Sequence, residues 1–113
     1  MNFEDSNSMN QNAESKPELT DEVQIISIPT IEYFERMYGV SLEGNDQKAI
    51  GIFKNFETKE KHRRLQHELM MIKTGKVSKQ KLNAVVKPKR EIKFNGYENW
   101  ASRMLMWFVE AKV

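Results

Sequence analysis

The stretch TKEKHRRLQHELMMIKTG, residues 58–75, decides the fold. His62, Leu65, Leu69 and Ile72 recur at a helical interval and share one stripe, while Lys59, Lys61, Arg63, Arg64 and Glu68 lie largely off it. Met70 and Met71 widen the apolar side. Thr58 is placed to cap the first turn and Gly75 to stop the last, so the spacing predicts a helix over 59–74. With this amphipathic helix at its centre, the chain reads as mainly α: a small single-domain helical bundle with one or two short minor strands.

Towards the C-terminus, Ser78 is an N-cap for a short helix to about Val86, with Leu82, Val85 and Val86 inward. Lys87-Pro88-Lys89-Arg90 breaks it. Residues 91–94 (EIKF) alternate like a short edge strand, and Asn95-Gly96 is a turn signal. The last helix, from Tyr97 to about Lys112, is the most apolar segment. Trp100, Met104, Trp107, Phe108 and Ala111 make one broad face that either fills the domain centre or leaves part for a partner.

Towards the N-terminus, residues 47–56 carry Ala49, Ile50, Phe53 and Phe56 at helical spacing, although Gly51 weakens that helix by up to about 1 kcal/mol. Thr30 looks like the N-cap of a helix over 31–38, with Gly39 placed for a left-handed stop. The β-branched run at 23–28, stopped by Pro29, reads as a strand or an extended arm. Residues 1–20 are rich in Asn, Ser, Glu and Gln, with no apolar period, and read as a disordered acidic tail ahead of one domain over 21–113. The expected core is Ile31, Phe34, Ile50, Phe53, Phe56, Leu65, Leu69, Ile72, Leu82, Val85, Trp100, Met104, Trp107 and Phe108.

Charge is divided along the chain. Residues 1–46 carry ten acids and two bases, a net of −8; residues 47–113 carry sixteen bases and six acids, a net of +10. A basic body suits a polyanion or an acidic protein surface, with the tail as a competing electrostatic brake. The alternative is that the cations merely solvate helix faces. There are no cysteines, which excludes disulfides, thiolate metal sites and cysteine nucleophiles. No run is long and apolar enough for a membrane span, and the start carries no secretory pattern, so the expected location is cytoplasmic.

Catalysis finds little support. His62 and His67 stand five apart, on nearly opposite helix faces, and cannot share a metal from one helix. The glycines are scattered and form no phosphate loop, and no nucleophile elbow is present. The expectation is a non-enzyme with no cofactor and no metal.

Two binding readings remain. In the first, a basic segment at 73–93 contacts DNA or RNA: Lys73, Lys76, Lys79, Lys81, Lys87, Lys89, Arg90 and Lys93 are opposed within it by Glu91 alone, and Lys59, Arg63 and Arg64 extend the surface. Residues 65–86 loosely suggest a helix-turn-helix in which Lys79, Gln80, Lys81 and Asn83 face a groove. Phe94 and Tyr97 are the aromatic residues best placed for base stacking; Trp100, Trp107 and Phe108 fit a core. In the second, the chain is a small adaptor or inhibitor, of a kind encoded by phages or mobile elements, or a homodimer. It would bind protein through the apolar C-terminal helix, with pliable Met70, Met71, Met104 and Met106 beside Trp107.

Overall fold

The computed structural model describes residues 26–39, 42 and 44–112. The segment 1–20 and residues 23–25 lie outside them. Six α-helices run through the described residues: α1 Pro29–Phe34, α2 Asp46–Phe56, α3 Lys59–Lys73, α4 Lys79–Val85, α5 Pro88–Phe94 and α6 Tyr97–Glu110. α1 continues into a wider π-type turn, Glu35–Gly39.

α6 is the element on which the others are assembled. Trp100 Nε1 donates to Asp46 Oδ2 (3.1 Å), and Lys54 Nζ donates to Phe108 O (2.7 Å). The start of α6 therefore lies beside the start of α2 and the ends lie together, so the two run parallel. α3 runs the other way. His62, in its first turn, meets the Phe108 ring near the end of α6 at 5.2 Å between centroids. α4 sits at the start of α6, where Tyr97 Oη donates to Asn83 Oδ1 (2.6 Å). Trp100, Met104, Leu65, Leu69, Ile50, Phe53, Ile31 and Phe34 are wholly buried between these helices.

Several helix starts follow from local capping. Asn45, Thr58 and Ser78 accept hydrogen bonds from the backbone of Lys48, Lys61 and Lys81, satisfying amides that the first turn leaves open. α1 departs from the expected pattern. Pro29 is its first residue, and Thr30 lies inside the helix and caps nothing. The cap is Glu68, on α3: its carboxylate accepts from Thr30 N (3.1 Å) and Ile31 N (2.9 Å). Glu68 is thus buried, not on the solvent side of the stripe. Gly39 is not left-handed either. A side chain there would place its Cβ 2.8 Å from Glu35 Oε1, so the position accommodates the Glu35 carboxylate.

The minor strands are not present among the described residues. Residues 26–28 lead irregularly into α1, and 91–94 belong to α5. Pro88 occupies the first helical position, where its missing N–H leaves nothing unpaired. Asn95-Gly96 serves as a helix stop, with Asn95 in the left-handed region (φ 60°). An Asn that tolerates positive φ ends a helix as readily as it turns a hairpin.

The core also differs in places. Phe56 is 78% exposed: it is the last residue of α2, and no described element covers it. Val85 and Trp107 are only partly buried, Trp107 because it lies at the edge of the α6 stripe set by Tyr97, Ala101, Met104 and Phe108. Ile28, Ala49, Val77, Val86, Tyr97 and Ala101 join the core instead.

Candidate nucleic-acid interface

The expected cations do not form one stripe. Arg90 is interior. Its Nε and Nη2 reach Asp46 Oδ2 (3.0 Å) and Oδ1 (2.7 Å), and its Nη1 reaches Glu35 Oε1 (2.9 Å) and Val86 O (2.9 Å). Burial disfavours its charge, but the two carboxylates more than offset this and move its pKa up. Asp46 also holds Trp100, so this cluster is a structural lock between α2, α5 and α6. In the same cluster burial is the main influence on Glu35 and raises its carboxyl above the ordinary value, with Arg90 opposing.

Other cations are engaged by the protein's own acids: Arg64 with Glu60 (2.6 Å), Lys79 with Glu91 (3.0 Å) and Lys81 with Glu32 (3.7 Å). Lys93 Nζ donates to Gly44 O (3.2 Å). On the prospective reading face of α4, Lys79 and Gln80 are exposed, whereas Lys81 pairs with Glu32 and Asn83 accepts from Tyr97. Lys59, Arg63, Lys73, Lys76 and Lys87 make no ion pair with any described residue. Lys59 and Lys73 stand at opposite ends of α3, about 21 Å apart at 1.5 Å per residue. Lys89 is exposed at the start of α5.

The candidate partner residues divide as well. Met104 is fully buried and Met71 partly so, whereas Met70 and Met106 are 46% and 43% exposed. Trp107 is half-buried and lines a concavity of the surface. A groove of about 330 Å³ runs between α2 and the end of α6. Gly51 and Ile52 form its α2 side, and Trp107 and Ala111 its α6 side. Lys48 and Lys112 line it too, with Glu110 as the acid at its edge.

Further aromatic and cationic groups adjoin Trp107 and Phe94. The Phe94 ring meets Trp107 edge-on at 6.2 Å. Arg103 lies over the Trp107 ring at 5.7 Å, and Lys93 over the Phe94 ring at 5.6 Å. Arg103 and Lys93 are exposed. A cation on an exposed ring is worth about 0.5–1 kcal/mol, so the Arg103 contact does not lock the indole face. The groove thus combines a half-buried indole with Lys48 and Lys112. Sequence reasoning missed Lys48, Gly51, Arg103 and Lys112 because no motif links them; only Trp107 and Lys93 had been singled out, and for different roles.

A second polar cluster looks chemical but serves the fold. The Glu57 carboxylate accepts from Tyr33 Oη (2.9 Å), Tyr38 Oη and Lys61 Nζ (3.2 Å). Burial works against its charge, but the three donors outweigh it and lower its pKa. Among the described residues no group of three or more His, Asp or Glu is arranged to hold a metal ion. No helix there is long and apolar enough to cross a membrane. Comparison with protein-family models, curated proteins and solved structures returns no match.

Proposed function

We propose that the protein is a non-catalytic, nucleic-acid-associated protein that engages single-stranded DNA or RNA at the α2–α6 groove. The observation that carries this reading is the half-buried Trp107 in a groove lined by Lys48 and Lys112, with Arg103 over its ring. A duplex hides its bases from an indole, whereas a single strand offers both an unstacked ring and a phosphate track. The basic segment 73–93 then contributes Lys73, Lys76 and Lys87 to more distant phosphates.

The test is titration with oligo-dT and oligo-rU at low salt, read by tryptophan emission. Binding through about three phosphates gives a slope of log affinity against log salt of about −2. No change in emission and no retardation with either oligonucleotide overturns the proposal.

One observation favours a protein partner as the second reading. Met106 and Val109, the latter 70% exposed, sit three apart on α6. That reading expects a dimer or a protein complex by light scattering that is insensitive to replacing Lys48 and Arg103.

A further inference from the structure

We propose that Gly51 forms the floor of a subsite for one flat nucleobase, seated against Trp107. This rests on the groove being a single-strand binding site, and it identifies the residue that sets the size of what enters.

Gly51 lies in the middle of α2, the position where glycine is least suited to a helix and alanine most suited. Nothing in the fold calls for it. Its φ is not positive, and a Cβ added there would meet no atom of the described residues within 4 Å. Packing therefore does not explain the glycine, and the backbone does not need it. The open space is part of the groove: Gly51 lines it together with Trp107.

The neighbours of Gly51 suit a base. Gln47, Gly51 and Asn55 are four apart and share one ridge of α2, so the glycine is a gap between two amide side chains. Gln47 and Asn55 are exposed. Asn55 Nδ2 donates to Gly51 O (3.1 Å), which leaves its amide oxygen to accept from a base edge. Lys48 and Lys112, also at the groove, are placed to meet the flanking phosphates. A planar ring with hydrogen-bonding edges and an anionic backbone fits this set. A bulky aliphatic side chain from a protein partner would leave the amides and ammonium groups unanswered.

The test compares Gly51→Ala and Gly51→Leu with wild type by thermal melting and by oligo-dT titration. Both variants should melt higher than wild type, by roughly 3–6 °C, because each replaces a helix-interior glycine without meeting a neighbour. Gly51→Leu should bind oligo-dT at least about tenfold more weakly, since it fills the space the base enters, while keeping the salt slope of wild type. If wild type binds and Gly51→Leu binds equally, the subsite is overturned and the nucleic-acid reading stands. A lower melting temperature for Gly51→Ala makes Gly51 a packing glycine and overturns the subsite as well. Failure of wild type to bind any oligonucleotide overturns the parent reading, and the subsite with it.

Discussion

Arg90→Ala should bring the protein to the edge of unfolding. In the sequence Arg90 is one more cation in a basic run. In the fold its side chain is 13% exposed, and it faces Asp46 and Glu35, themselves 4% and 17% exposed. Three nitrogens make four hydrogen bonds there. Removing the guanidinium leaves two nearly buried carboxylates without their counter-charge. Breaking a buried pair in this way costs about 3–5 kcal/mol. A domain of this size has about 5–15 kcal/mol in all, so the variant loses a large fraction of its stability, and at the low end all of it. Arg90→Lys keeps the charge but loses the bidentate fork to Asp46, and should fall between the two. Urea unfolding followed by circular dichroism measures the loss. The alanine variant should suffer less at pH 5 than at pH 7. With Arg90 gone, burial of Glu35 goes unopposed and holds its carboxyl above the unfolded value, so its protonation favours the folded state and stability is lost as pH rises. A wild-type midpoint for Arg90→Ala at pH 7 would refute the buried lock and return Arg90 to the surface.

Other consequences are as direct. Glu68→Ala should cost about 2–3 kcal/mol in a urea melt, because it uncaps α1 and leaves the Thr30 and Ile31 amides without an acceptor; Glu68→Gln, which keeps one acceptor, should cost less. Trp100→Ala should cost about 3–5 kcal/mol and Trp107→Ala about 1–2 kcal/mol by the same measurement, since only Trp100 is fully enclosed. Acrylamide should quench about half of the tryptophan emission readily, from Trp107, and leave the rest protected. Glu57, whose folded pKa lies below the ordinary 4.5, contributes stability above that value that is lost as pH falls through the folded pKa. Glu57→Gln should therefore flatten the acid limb of a stability-against-pH curve. Lys87→Gly should raise stability by about 1 kcal/mol, because Lys87 holds a positive φ of 84° that costs a side chain strain.

The helices were legible where their signals are local. Thr58 and Ser78 cap the turns that follow them, and the Leu65–Leu69–Ile72 stripe faces inward as its period requires. The start of α1 was not legible, because its cap comes from Glu68, nearly forty residues away, and no local pattern announces a distant carboxylate. The 91–94 segment was misread because two-residue alternation over four positions is too short to outweigh Pro88 at a helix start and Asn95 at a helix end. The site was less legible still. A run of lysines and arginines says nothing about direction: Arg90 turns inward, Lys79 and Lys81 find acids on neighbouring elements, and Lys73 ends far from Lys59. The groove joins Lys48 and Gly51 to Trp107 and Lys112 across the α2–α6 contact, a proximity that exists only once those helices run parallel.

The proposed site stands on Trp107 meeting a base. Tryptophan emission during an oligo-dT titration tests it most directly, compared between wild type and Trp107→Phe. Trp100 remains as an enclosed reference in both. Quenching should be saturable in wild type, absent in Trp107→Phe, and weakened by added salt. Equal quenching in the two proteins, or binding with no change in emission, would contradict it.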